Sequence, residues 1–168
     1  MSRFWWAVLY AWATIRHKWF VLLACRRTGV PLWRASVHDL SKFTFTELPA
    51  YGRQFFGDKG DPDAFARAWL HHQNANPHHW EYWIPRSGHV RSEGAPEPLP
   101  MPETYAREMV ADWMGASRAY TGSWDMRDWL TKNLPKMILH RKTRDWVFAI
   151  LLEIDYDGWQ LYAKALGV

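Results

Sequence analysis

Apolar residues recur at three- and four-residue intervals through most of the chain, the spacing of one helix face. No stretch alternates between apolar and polar as a half-buried strand does. Residues 3 to 28, rich in Trp, Ala, Leu and Arg, predict a long first helix that stops at Thr28-Gly29 with Pro31 just beyond. A shorter helix is expected from Leu32 to Lys42. Thr44-Phe45-Thr46-Glu47 has the spacing of a capping box and predicts a helix reaching Phe56, followed by a turn from Gly57 to Pro62. Asp61 or Asp63 can cap a helix through Ala75. Asn76-Pro77 then supplies a cap and a first-turn proline for a new short helix.

From Pro85 to Pro102 the periodicity stops. Five prolines and two glycines in that stretch predict one long loop, 85–102, a candidate lid. Helices are expected again at about 102 to 120, 125 to 133 and 143 to 165, the last capped by Thr143 and carrying Ile150, Leu151 and Ile154. The expected architecture is therefore all-α: a compact single-domain helical bundle of about six to eight helices over 1–168. A chain of 168 residues buries a sizeable core without staples.

Composition changes this picture in three places. The 13 Trp and 8 His are far above ordinary usage and need explaining. The net charge of +4 comes from scattered Lys and Arg, which suits a small anionic substrate. With no basic run, zinc finger or helix-turn-helix pattern, specific nucleic-acid binding is not expected. The single cysteine, Cys25, excludes a disulfide framework or a cysteine zinc cluster and fits a reducing, cytoplasmic setting. Phe4 to Ile15 is almost wholly apolar, but Arg16, His17 and Lys18 interrupt it well before the roughly 18 residues a span needs. A buried helix is expected there, with no membrane partner; an interfacial amphipathic anchor is the minor alternative. A homo-oligomer remains open.

The chemistry lies in the histidines and aspartates. His17 shares its helix face with Trp6, Tyr10, Ala13, Phe20 and Ala24, which points its imidazole into the core. Asp112 shares its face with Tyr105, Met109, Gly115, Ala116 and Ala119, and only Glu108, one turn earlier, is also polar. An unpaired buried carboxylate costs several kcal/mol, so a cation or strong donor is expected beside it. Either residue alone is equally consistent with an ordinary buried hydrogen bond. Together with His38-Asp39 they form a set of two imidazoles and two carboxylates. Its negative charges match a divalent ion and leave positions for water and substrate.

A second group, His71, His72, His78 and His79, lies within nine residues. Phe65, Ala68 and Trp69 share a face with His72, so His72 rather than His71 is expected to point inward; His78 and His79 are not distinguished. A solvated histidine-rich junction is the alternative. Lys42, at i+4 from His38 and i+3 from Asp39, would lie beside these groups on a continuous helix.

The order His17, His38-Asp39, Asp112 on an all-helical chain resembles the H…HD…D signature of the HD-domain superfamily of metal-dependent phosphohydrolases, and the match spans most of the chain. His38-Asp39-Leu40-Ser41-Lys42 resembles the His-Asp-x-x-Lys motif of the cyclic-dinucleotide phosphodiesterase branch. His72, His78-His79 and Asp112 follow in that branch's order. Its Gly-Tyr-Pro motif is absent and the gap from His72 to His79 is much shorter, so cyclic-dinucleotide cleavage is not assigned. The strings His-Asp-Leu-Ser-Lys-Phe, Asn-Pro-His-His-Trp-Glu and Glu-Met-Val-Ala-Asp-Trp are similar to an uncharacterised small family of phages and bacteria.

The resemblance implies hydrolysis of a nucleotide or other small phosphate ester by metal-activated water, with one or two divalent ions (Mn, Fe, Co, Ni or Mg). His17, His38, Asp39 and Asp112 would be ligands. His72 and one of His78 or His79 would hold a second ion with Asp39 bridging, or act as general acid. Lys42, with Arg107 or Arg118, would contact substrate phosphate. Trp80, Trp83 and Trp113 would either stack on a base or pack in the core. Two other readings stand beside this one. The order H…HD…H…H…D also resembles mixed-valence di-iron oxygenases, and a non-catalytic protein that sequesters a nucleotide signal would need the same site.

Overall fold

A computed structural model describes residues 3–85 and 97–154. Residues 86–96 of the candidate lid at 85–102, and the continuation of the last helix to 165, lie outside the described residues. Seven α-helices follow one another: α1 (Arg3–Thr28), α2 (Leu32–Val37), α3 (Leu48–Phe56), α4 (Pro62–Ala75), α5 (Glu103–Thr121), α6 (Arg127–Asn133) and α7 (Arg141–Glu153). Short 3-10 turns lie at Leu40–Phe43, Trp80–Trp83 and Leu134–Lys136. Among the described residues there is no strand, and the chain is the all-α, single-domain bundle that its periodicity predicts.

Four local expectations are corrected. The helix expected to run from Leu32 to Lys42 ends at Val37: His38 is extended and Asp39 is left-handed at φ 57°, after which the chain makes a 3-10 turn. The Thr44–Glu47 capping box does not form. The Thr44 hydroxyl donates to the Ser41 carbonyl instead, and the buried Glu47 side chain turns to two histidines. Pro77 opens a turn rather than an α-helix, with Asn76 donating to the Ser41 hydroxyl and the His72 carbonyl. The cap of α7 is His140, whose Nδ1 accepts from the Lys142 backbone N–H. Thr143 accepts from the Met101 N–H and so pins the preceding chain onto α7. Asp61 caps α4 as expected, accepting from the Ala64 N–H.

The core lies between α1, α5 and α7, where Val21, Cys25, Val110, Met114, Ile150 and Leu151 are buried. Each fully buried aliphatic side chain of this kind contributes roughly 1.5–3 kcal/mol. Gly115 sets the closeness of α1 and α5: a Cβ there would lie 2.5 Å from the Val21 side chain and 2.7 Å from its backbone nitrogen. His17 is one turn from Val21 and Asp112 one turn from Gly115, so this approach also brings the two polar residues into one space. A smaller cluster of Tyr10, Tyr51 and Ala68 closes the other side, the two rings stacked at 5.2 Å.

The expectation of a buried first helix holds for one face only. Tyr10, Thr14, His17, Val21 and Ala24 are buried, but Trp5, Trp12, Ile15 and Trp19 on the opposite side are more than half exposed. The physical reason is that α2, α3 and α5 all pack on the first face.

Candidate metal centre

Successive residues of an α-helix point about 100° apart, so an unbroken helix would turn either His38 or Asp39 outward. The break at Val37 and the left-handed backbone of Asp39 let both point inward, 2% and 1% exposed. Aspartate tolerates this conformation better than most residues. There the pair meets His17 of α1 and Asp112 of α5. His17 Nε2 lies 3.0 Å from Asp112 Oδ1 and 3.4 Å from Asp39 Oδ2. His38 Nε2 lies 3.3 Å from the same Asp112 oxygen and 3.5 Å from the same Asp39 oxygen.

The histidine cluster approaches the other oxygen of Asp39. His72 Nε2 lies 3.5 Å and His78 Nε2 3.4 Å from Asp39 Oδ1. His79 Nε2 is 2.9 Å from His72 Nε2. Both His78 and His79 therefore face the centre, whereas His71 is largely exposed, its side chain 41% accessible. The seven residues named in the sequence as ligands come together around one carboxylate.

Four of these atoms, His17 Nε2, His38 Nε2, His78 Nε2 and Asp39 Oδ1, are buried and have no hydrogen-bond partner. Each nevertheless has an oppositely polarised atom within 3.5 Å. Unmade hydrogen bonds at such distances are costly in a protein interior. A central cation removes the cost, because ligands at about 2.1 Å from an ion and at right angles to each other lie ~3 Å apart. His17, His38, Asp39 and Asp112 each offer an atom within 4.8 Å of the others, as do Asp39, His72 and His79. The residues present fit a divalent ion.

Two further carboxylates, both missed as site residues in the sequence, stand behind the imidazoles. His38 Nδ1 donates to Glu108 Oε1 at 3.0 Å, and His78 Nδ1 lies 3.4 Å from the same oxygen. Arg34 closes the other Glu108 oxygen at 3.2 Å. Glu47 accepts from His72 Nδ1 at 3.0 Å and from His71 Nδ1 at 2.7 Å. A carboxylate that takes the Nδ1–H fixes the tautomer and leaves the Nε2 lone pair facing inward. His38, His78 and Glu108 also cluster tightly enough to hold an ion, but the hydrogen bond and Arg34 make that side an outer layer. Glu108 carried a signal in its helical phase with Asp112; Glu47 was disguised by its spacing from Thr44.

Charge is concentrated here. Burial opposes ionisation of Asp39 and Asp112, yet their histidine neighbours, and Lys42 for Asp39, hold both carboxyls well below the usual range. Burial likewise opposes Glu108, but hydrogen bonds from His38 and His78 bring it down to about 2. Burial disfavours protonated His17 and His38, and the carboxylates outweigh it, so both are raised. Burial and the neighbouring His78 and His72 push His79 well down, keeping it neutral.

Lys42 reaches Asp39 Oδ2 at 2.5 Å, across a 3-10 turn instead of the expected continuous helix. The side chains of Lys42 and Asp112 are 14% and 17% exposed, so solvent reaches the centre from their side. Arg107 is not brought to the site. It bonds Glu103, the Thr28 carbonyl and Glu153, tying α1, α5 and α7 together. Arg118 stacks over Phe20 at 5.7 Å. Trp83 donates to the Pro77 carbonyl and so holds the turn that carries His78, while Trp113 packs on Trp129.

A family model described as "Family of unknown function (DUF5662)" matches residues 8–153, and the chain belongs to that family. No curated protein and no solved structure matches it.

Proposed function

We propose that this member of the family is a metal-dependent phosphohydrolase acting on a nucleotide or another small phosphate ester. The observation that carries the reading is the set of buried, unpartnered ligand atoms on both sides of the Asp39 carboxylate. The HD-like order of His17, His38-Asp39 and Asp112 supports the same reaction class. His17, His38, Asp112 and Asp39 Oδ2 would hold one divalent ion; His72, His78, His79 and Asp39 Oδ1 would hold a second. Imidazole mixed with carboxylate favours Mn, Fe, Co or Ni over Mg. Bound there, such ions supply positive charge to phosphate oxygens and lower the pKa of water toward neutrality.

The protein's own groups do the rest. Lys42 is a part-buried ammonium at the accessible edge, placed to turn from Asp39 to a substrate phosphate. Glu108 and Glu47 hold the imidazoles in the orientation that presents Nε2 inward. The neutral His79 is suited to ligation, because burial and its histidine neighbours oppose protonation. Tyr120 stacks over His17 with ring centroids 6.4 Å apart.

Elemental analysis of untagged protein, followed by a nucleotide panel assayed for phosphate release with each metal, tests the reading. One to two transition-metal ions per chain and metal-restored release are expected. Metal-free protein that cannot be loaded would overturn it. The separation of Asp39's two oxygens between two histidine sets also favours a second reading, a di-iron oxygenase. Iron content with oxygen-dependent turnover and no phosphate release would select that chemistry.

A further inference from the structure

The outer face of α1 stands apart from the metal centre. Trp5, Val8, Leu9, Trp12, Ile15 and Trp19 follow the spacing of a single helix face and form a continuous apolar stripe in solvent, with Trp12 68% and Trp19 58% exposed. Contiguous apolar surface of this kind marks an interaction site. Three of its members are tryptophans at seven-residue intervals, and indole is the side chain most at home between water and lipid.

Charge decides what covers the stripe. The helix carries Arg3, Arg16, Lys18, Arg26 and Arg27 and no acidic residue. Nor do α2 and α3, which pack beside it, contain any Asp or Glu, while Glu103, Glu108 and Asp112 of α5 are engaged by Arg107, His38 and His17. Arg16, Arg26 and Arg27 are exposed, and Arg16 donates to the Ala119 carbonyl and Arg27 to the Ile154 carbonyl rather than to a carboxylate. A second copy docked through this face in a parallel pair would oppose Arg26 to Arg26, so that like charges meet without a counter-ion. An anionic surface that accepts indole rings satisfies both features at once. No helix among the described residues is long and apolar enough to cross a membrane, so the helix would lie on the surface.

We infer that the outer face of α1 docks the protein onto anionic lipid bilayers, with Trp5, Trp12 and Trp19 in the headgroup boundary and the arginines on lipid phosphates. The inference is independent of the reaction proposed above. The test is co-flotation of the full chain with vesicles of phosphatidylcholine alone or equimolar with phosphatidylglycerol, at low and high salt, together with sedimentation velocity without lipid. Binding to the anionic vesicles only, weakened by salt, with a blue-shifted tryptophan emission, is expected. The triple variant Trp5→Glu, Trp12→Glu, Trp19→Glu should bind at least tenfold more weakly while keeping its helical circular dichroism. Should that variant misfold, Arg26→Glu with Arg27→Glu gives the same reading through charge. No binding to anionic vesicles, equal binding by variants and parent, or a dimer in solution that Trp12→Glu dissolves would overturn the inference.

Discussion

The two halves of the metal centre rest on different supports. His17 and Asp112 stand on α1 and α5, the two longest helices among the described residues, held together where Gly115 meets Val21. His72 lies near the end of α4, and His78 and His79 lie in the turn after it, held by the Trp83–Pro77 hydrogen bond and by Asn76. The first half has two carboxylates, Asp39 and Asp112, whereas the second has only the shared Asp39 and three imidazoles. Rigid placement and greater negative charge both favour cation binding. If ions bind as proposed, the helix-borne half should be the tighter site, and the turn-borne half the one that empties first.

Replacing the shared ligand should have the largest effect. Asp39→Asn is expected to empty both halves and to lower phosphate release by more than about a hundredfold, beyond the range for loss of an outer partner. Elemental analysis with a release assay checks it, and unchanged metal content would remove Asp39 from the site. Next comes the contrast between halves: His72→Ala should leave one ion per chain, while His17→Ala should lose the tighter one. Native mass spectrometry distinguishes the two, and the opposite pattern would reverse the ranking.

The backing carboxylates sharpen the contrast further. Glu108→Gln should weaken metal binding ~10–100-fold in both halves, because Glu108 touches one imidazole of each; Glu47→Gln should weaken only the second by a similar factor. Titration with a competing chelator reads both.

The acid–base balance should separate the metal-free and loaded forms. In the metal-free chain, raised His17 and His38 contribute stability below their ordinary value of 6.5, and this is lost as pH rises through their folded values. The depressed Asp39, Asp112 and Glu108 contribute above the ordinary carboxylate range and lose their share as pH falls, Glu108 near 2. Ligating imidazoles must be neutral, so metal stabilisation instead grows with pH. Melting temperatures with metal and with chelator should diverge steadily from pH 5.5 to pH 8 (about the histidine range); a constant gap would contradict imidazole ligation. The smallest effect is mechanical. Gly115→Ala should cost about 1–3 kcal/mol by forcing α1 from α5, and a chemical denaturation midpoint unchanged from the parent would show that the helices have slack.

Long elements were legible because periodicity reports burial directly: α1 and α5 appear in the sequence with their inward residues, His17 and Asp112. The joint at Asp39 was not, because its left-handed turn carries neither glycine nor proline. Glu47 failed for a different reason. Its spacing from Thr44 matches a local motif, while its true partners, His71 and His72, lie 24 and 25 residues away. The reach of Arg107 across three helices is equally invisible to a one-dimensional pattern. That α1 would keep an apolar face in solvent also lay beyond composition, since hydrophobic content does not say how many neighbours a helix finds.

The backbone of Asp39 narrows what mutation can do at the centre of the site. A glutamate would keep the charge in a conformation it resists and with a longer reach, a glycine would keep the conformation without the charge, and asparagine keeps shape and backbone while losing only ionisation. Drift at this position thus has one soft exit, and relatives that lack the proposed metal site should carry asparagine here more often than other residues.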